Sequence, residues 1–266
     1  MDIFICDMKR AVLFVSHFIN ESYLKRYLKL NKDLKGQYDV YWLFQKDNGI
    51  SDIPLHQMNI NVEGFTIDDL NNLNYNPVYE CFFGSEHFLD LYFTQRHPEY
   101  EYIWSIEYDV VFSGNWRVLF DSFNYNNADL LSSHIAHYCE SNKNWLWWSS
   151  LSFNSKDLLP SKKWVKSYNP IHRYSRQALQ FLDVYLQREG NSGFSEALVA
   201  TILYNNGFVL EDFGGTGEFV SSGNHNRFYI QREGIHQGTM RWRPDYLLSD
   251  INKKSISNKL FHPVKE

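Results

Sequence analysis

Short, nearly unbroken apolar runs alternate along this chain with longer segments whose apolar positions recur at helical spacing. Ala11-Val-Leu-Phe-Val-Ser16 is the first such run. With apolar residues on both faces, it predicts a strand buried on both sides, as in a parallel central sheet. Glu21 to Leu34 follows with Tyr23, Leu24, Tyr27, Leu28 and Leu30 spaced as on a helix, and Gly36 stands where that helix should stop. Tyr38 to Phe44 predicts a second strand, ended by the turn-forming Asp47-Asn-Gly49. Such a strand–helix–strand opening favours a right-handed crossover.

Residues 50–79 are polar and Asn-rich, with a short helix expected between Phe65 and Leu73. A helix is predicted from Ser85 to Gln95, a strand from Tyr102 to Ile106, a short helix from Asn115 to Phe123 and a strand from Ala128 to Ser132. Beyond residue 135 the periodicity fades through Trp145-Leu-Trp-Trp148, with a strand expected near Ser150–Asn154. Amphipathic helices follow at Tyr174–Glu189 and Ser195–Asn205, then a short strand at Gly207–Asp212. The tail from residue 219 has turns and basic residues but no period. Without internal repeats or a low-complexity linker, the alternation predicts one α/β unit over residues 1–266. Its mostly parallel sheet should carry helices on both faces.

The length fits one large domain, and 44% hydrophobic residues, with 17% aromatic, can bury a sizeable core. Eighteen Tyr and eight Trp exceed what packing alone needs; flat rings with a polar handle suit stacking against sugars and nucleobases, although the core takes most of them. A net charge of −5 without a long basic run argues against nucleic-acid binding by bulk charge. Lys162, Lys163 and Lys166 read as a solvated face. Cys6, Cys81 and Cys139 lack metal-ligand spacing and fit free thiols in a reducing compartment. The first residues do not form a signal peptide, and no apolar run approaches the roughly 18–20 residues of a membrane span. A soluble cytoplasmic protein is expected, at most peripheral at the inner face of a membrane.

The densest chemistry lies in Tyr102-Ile-Trp-Ser-Ile-Glu-Tyr-Asp109. Glu107 and Asp109 close an apolar strand, a placement suited to holding a divalent cation and nucleotide phosphates in the crevice above an open α/β sheet. An isolated Glu-x-Asp is more often a pair of solvated acids, so the surroundings decide its meaning.

Those surroundings resemble the GT-A glycosyltransferases, nucleotide-sugar-dependent enzymes on a single Rossmann-like sheet, and among them the bacterial surface-polysaccharide type. The resemblance rests on the opening from Ala11 to Phe44, on Tyr102 to Asp109 as the strand leading to an Asp-x-Asp metal motif, on the helix start Gly193-Phe-Ser-Glu196, and on the late Gly234-Ile-His236. Glu107 departs from the motif's first Asp. The resemblance implies that residues 11–134 bind the nucleotide-sugar donor, and that 135–266 form the acceptor side and tail. Asp109, Glu107 and His236 would hold Mn²⁺ or Mg²⁺, with Glu107 reaching the ion through water or touching the ribose instead. The cation would neutralise the leaving nucleoside diphosphate, and Arg241 and Arg243 would close over it. The acceptor would be a glycan or glycolipid hydroxyl. Glu196 is placed like the base of an inverting enzyme, with Asp212 as its rival.

Plainer readings stand beside these. Glu196 also suits a helix N-terminus capped by Ser192 or Ser195, where the helix dipole lowers a carboxylate's pKa. Asp212 before Phe213-Gly-Gly suits a turn. Gly214-Gly-Thr-Gly217 precedes no helical pattern and is not read as a phosphate loop. Trp145, Trp147 and Trp148 offer a platform for an acceptor sugar, with at least one expected in the core. Arg173 reads as a surface pairing residue, and His134 and His137 lack a second pair for zinc. No Gly-x-Ser-x-Gly elbow supports a hydrolase. The competing classes are a non-catalytic nucleotide- or carbohydrate-binding protein and a nucleotidyl- or phosphotransferase. The latter is disfavoured by the lack of a Gly-rich loop after the first strand.

Overall fold

The computed structural model describes residues 9–48, 58–79, 83–232, 237–253 and 256–266. The predicted opening is present as β1 (Arg10–Ser16), α1 (Glu21–Leu34) and β2 (Asp39–Gln45). Asn20 caps α1 by accepting from the Tyr23 N–H at 2.8 Å. Then come β3 (Asn61–Phe65), α2 (Ile67–Asn71), α3 (His87–Arg96), β4 (Tyr102–Glu107), β5 (Val111–Phe112), α4 (Trp116–Asp121) and β6 (Leu130–His137). The second half holds β7 (Val165–Ser175), α5 (Arg176–Leu186), α6 (Ser195–Asn205) and β8 (Leu210–Asp212). The tail adds β9 (Tyr246–Leu247), α7 (Leu248–Lys253), β10 (Leu260–Phe261) and β11 (Val264–Lys265).

Seven strands form one sheet in the order β3-β2-β1-β4-β7-β6-β8. The run from β3 to β4 is parallel, as is β6 with β8, while β7 runs antiparallel to both its neighbours. β1 and β4 lie in the interior, as their apolar runs require. Ala11 and Leu13 enter one core with Phe88, Leu179 and Leu198 from α3, α5 and α6. Val12 and Phe14 enter the other with Tyr27, Leu119 and Phe120 from α1 and α4. Helices therefore cover both faces.

Two strands of this sheet escaped the sequence pattern. β3 lies in the Asn-rich stretch, and β7 hides behind Lys166, Asn169, Pro170, His172 and Arg173. That polar strand can be buried because its side chains are paired. His172 Nε2 lies 3.0 Å from Asp90, which also accepts from Ser105 Oγ. Arg173 is not a surface residue: its guanidinium donates to the carbonyls of Phe123, Asn126 and Ala128. Burial pulls its pKa down to about 10. The strand expected near Ser150–Asn154 is a 3₁₀ turn over Leu146–Ser150 and a single bridge from Ser152 to Ser192. The helix expected from Tyr174 starts at Arg176, because Tyr174 and Ser175 complete β7; Ser175 then caps it through the Ala178 N–H.

The aperiodic tail folds back on the sheet's carboxyl edge. β10 pairs antiparallel with β5, setting Phe261 opposite Val111. Tyr246, Ile251, Phe261 and Val264 form a small apolar cluster that packs on Val111. No helix among the described residues is long and apolar enough to cross a membrane.

Candidate functional site

At the end of β4 the chain turns sharply. The Tyr108 N–H donates to the Val15 carbonyl and the Val110 N–H to that of Glu107, at 2.9 and 3.0 Å. The returning tail is tied to this turn by the Val264 N–H, which donates to the Asp109 carbonyl at 2.9 Å. His262, between β10 and β11, is thereby placed beside both acids. One ligand atom each from Glu107, Asp109 and His262 lie within 4.8 Å of one another. The His262 Nε2 is 3.4 Å from Glu107 Oε2 and 3.3 Å from Asp109 Oδ1, and Lys265 Nζ is 3.0 Å from Asp109 Oδ2.

Charge, not solvent, sets the protonation here. Burial alone would raise the Asp109 pKa, but the hydrogen bond and charge of His262, then Lys265, pull it down to about 2. Burial likewise opposes charge on His262, yet Asp109 and Glu107 push it up to about 9. On its other side, His262 Nδ1 lies 3.1 Å from the Arg241 carbonyl and 2.8 Å from the Tyr168 hydroxyl, which itself donates to that carbonyl. A carbonyl can only accept, so Nδ1 keeps a proton whether the ring is charged or neutral, and Nε2 is turned toward the acids. This is the arrangement by which protein groups fix the tautomer of a metal-binding histidine. The donor set fits a divalent cation. Asp109 Oδ1 is buried and faces the His262 Nε2 at 3.3 Å, and Glu107, with a side chain 38% exposed, leaves one flank open.

Behind this centre stands a second carboxylate group. Glu196 opens α6, but no serine caps that helix: the N-cap is Phe194. Ser195 instead donates its hydroxyl to Glu86 Oε2 at 2.6 Å and its N–H to the Gly84 carbonyl at 2.7 Å. The Gly84 N–H donates to Glu86 Oε1 at 2.9 Å. Glu196 Oε1 accepts from the Asn169 N–H at 3.4 Å. The helix dipole predicts a lowered pKa, but the Glu196 carboxyl stands well above the usual range. Burial and the nearby charges of Glu86 and Glu107 outweigh the Asn169 N–H and Lys166. Glu86 is raised as well, first by burial, with Glu107 adding to it.

The remaining predicted residues divide. Asp212 is 1% exposed. Its carboxylate accepts from the Tyr229 hydroxyl at 2.7 Å, from the Ile135 N–H at 3.1 Å, and from the Gly214 and Gly215 N–H groups at 2.8 Å. Those bonds make it the former of its own turn, with no room for the work of a base. The Arg241 guanidinium lies 3.8 Å from the Tyr246 ring centroid, and its Nε donates to the Pro244 carbonyl at 2.7 Å. Arg243 pairs with Asp245, and its charge acts on Tyr108 and Tyr168 beside the acidic centre. His236 lies outside the described residues. His134 points Nε2 at the Met240 carbonyl and His137 faces Glu218, so the two do not share a site.

Sequence reading missed His262, Lys265, Tyr168 and Glu86. The only signal for the first of these was a lone His set between apolar residues in Leu260-Phe-His-Pro-Val264. Around the turn, the Tyr108 ring packs against Tyr23 at 4.6 Å and His17 at 6.0 Å, leaving a cluster of aromatic rings at the carboxyl end of β1.

No family model matches the chain, and no curated protein matches it. Among solved structures it is similar to a 4-diphosphocytidyl-2C-methyl-D-erythritol synthase of Anaerococcus prevotii, at 10% identity and TM-score 0.45, over 81% of this chain and 92% of that one. It is also similar to mouse xyloside xylosyltransferase 1, at 13% identity and TM-score 0.40, over 79% and 86% of the two chains. A third likeness is the inositol-1-phosphate CTP transferase of T. maritima, at 11% identity and TM-score 0.42, over 77% and 85%.

Proposed function

We propose that the chain is a metal-dependent glycosyltransferase that moves a sugar, with inversion, from a nucleotide-sugar donor to a hydroxyl of a glycan or glycolipid. The observation that carries this reading is the meeting of Glu107, Asp109 and His262 at the carboxyl end of β4, with the high-pKa Glu196 nearby.

Glu107, one oxygen of Asp109 and the His262 Nε2 would hold Mn²⁺ or Mg²⁺; the imidazole among oxygens favours Mn²⁺. Once bound, the cation neutralises charge on the diphosphate leaving group. His262 must give up its proton to serve as a ligand, whereas Lys265 can stay on the other Asp109 oxygen and keep it oriented. The rings of Tyr108, Tyr23 and His17 suit the donor's base, and Arg243 is better placed than Arg241 to meet its phosphates. Residues 11–134 then supply most of the donor side and residues 135–266 most of the acceptor side, except that the returning tail brings His262 and Arg243 back to the donor.

Glu196 serves as the general base. A carboxylate with a raised pKa holds an accepted proton more strongly than one at its ordinary value. It takes the proton of the acceptor hydroxyl as that oxygen attacks the anomeric carbon; the bond from that carbon to the phosphate oxygen breaks, and its electron pair leaves with the diphosphate. Glu86 and Glu107 act by repulsion, keeping the base from becoming too weak. A glycolipid acceptor would place the protein in the cytoplasm, in peripheral contact with the inner membrane face. The nucleotidyltransferase reading is not favoured, since Ser16-His-Phe-Ile-Asn20 after β1 has no glycine.

A panel of nucleotide sugars screened with and without Mn²⁺ tests this reading. Cation-dependent release of a nucleoside diphosphate from at least one donor is expected, and it should disappear in Asp109→Asn. Donor cleavage that ignores both the cation and the substitution would overturn it.

A further inference from the structure

Trp147 and Trp148 are neighbours in the 3₁₀ turn, but they serve opposite sides. Trp148 is 4% exposed; it stacks on Trp164 with ring centroids 5.7 Å apart and donates its Nε1 proton to the Asn142 carbonyl. Trp147 turns the other way and lies flat on Phe194, with centroids 3.9 Å apart and planes 3° from parallel. Phe83 stands edge-on to both, at 5.8 and 5.3 Å. It is 55% exposed.

These rings are locked to the proposed base. Phe194 is two residues before Glu196, and its N–H donates to Ser150 Oγ, which donates to the Trp147 carbonyl. Gly84 has φ +81°, and a Cβ there would sit 2.5 Å from the Phe194 ring, so only glycine lets the Phe83 loop approach this closely. Ser195 then clasps that loop through the Gly84 carbonyl and Glu86. The fold spends a glycine, two serines and a carboxylate on holding an exposed ring, Phe83, and a half-buried one, Trp147, in register with Glu196.

Rings left in water beside a reactive group mark a ligand surface. The surroundings say which kind. Glu86 and Glu196 border the rings, and the Asn169 Nδ2 is buried without a partner, while its backbone N–H holds Glu196. An acyl chain cannot answer such groups. A sugar ring can, because it offers C–H faces to aromatic rings and hydroxyls around its edge. We propose that Phe83 and Trp147, backed by Phe194, form the acceptor subsite and take a pyranose ring of a saccharide, presenting one of its hydroxyls to Glu196. The inference rests on the transferase reading, which it deepens by naming the acceptor class.

Saturation-transfer NMR with a panel of neutral tri- and tetrasaccharides, recorded without donor or cation, tests the subsite separately from the metal centre. Binding of nucleoside diphosphates to the unaltered protein with and without Mn²⁺ decides the metal centre by itself. We expect at least one oligosaccharide to be saturated from aromatic protons. Phe83→Ala and Trp147→Ala should each weaken it about tenfold, Trp147→Phe should recover most of the loss, and Tyr125→Ala, at a distant side chain 92% exposed, should change nothing. Melting curves establish that each variant is folded. The proposal is overturned if no saccharide in the panel makes contact, if contact survives in both alanine variants, or if n-octanol displaces the saccharide and marks the surface as an acyl-chain groove.

Discussion

Asp109 and Asp212 are two buried carboxylates near the carboxyl ends of strands of the same sheet, and their environments differ in kind. Asp212 is surrounded by dipoles: three backbone N–H groups and a tyrosine hydroxyl occupy its oxygens. None of these partners can leave without unfolding the turn. Asp109 is surrounded by charges, with His262 at one oxygen and Lys265 at the other. A proton on His262 can be exchanged for a metal ion, and the Asp109 oxygen that faced that proton can then become a ligand. A carboxylate saturated by fixed donors builds structure, and one balanced by an exchangeable charge builds a site.

The sharpest way to break this contrast is to remove both carboxylates. Asp212→Ala strands several buried donors and should cost about 3 kcal/mol or more of folding stability, read from urea denaturation. Asp109→Asn should cost less, because it strands no backbone donor and His262 can shed its proton once its acid partner is gone. Equal losses would erase the distinction between the two aspartates. Next in size is Glu196→Gln, which keeps shape but cannot accept a proton at neutral pH. Turnover of a donor and acceptor pair should fall about 100-fold with donor affinity held, and near-normal turnover would deprive Glu196 of the role.

The charged centre also predicts a pH dependence. His262 has its pKa raised from 6.5 to about 9 in the folded chain. Its protonated form therefore stabilises the fold fully below 6.5, and that contribution is lost as pH rises through about 9. A cation competes for the same nitrogen, so its affinity should climb as pH rises toward about 9, by roughly tenfold per unit for a single displaced proton. Titrations with Mn²⁺ between pH 6.5 and 9 would show a flat profile if His262 were not a ligand. The smallest expected effect is that of Glu86→Gln. The amide can accept from Gly84 and donate to Ser195, so the clasp survives while a repelling charge is lost. Glu196 then becomes more acidic, and the acid limb of the kcat profile should move to lower pH. An unmoved limb would reduce Glu86 to a loop fastener.

Legibility in the sequence followed the same physics. β1 and β4 were readable because both of their faces meet apolar cores. β7 was not, because His172 and Arg173 are buried through hydrogen bonds that arise only in the folded chain. Asp109 was readable from its place after an apolar strand. Its partner Lys265 is 156 residues away and arrives on a two-residue strand that leaves no period, as does His262 between two such strands. Glu196 was readable from its position after Gly193, but its raised pKa was not. The local rule, a helix N-terminus, points the other way, and burial, joined by Glu86 and Glu107 from distant parts of the chain, overrides it.

The central claim is that Glu107, Asp109 and His262 form a cation centre for a nucleoside diphosphate. Calorimetric titration of nucleoside diphosphates, with and without Mn²⁺ and in two buffers of different ionisation enthalpy, tests it most directly. The account predicts binding only with the cation, release of about one proton per ion near pH 7.5, and loss of both signals in Asp109→Asn and His262→Ala. Binding that is indifferent to Mn²⁺, or that persists unchanged in both variants, would contradict it.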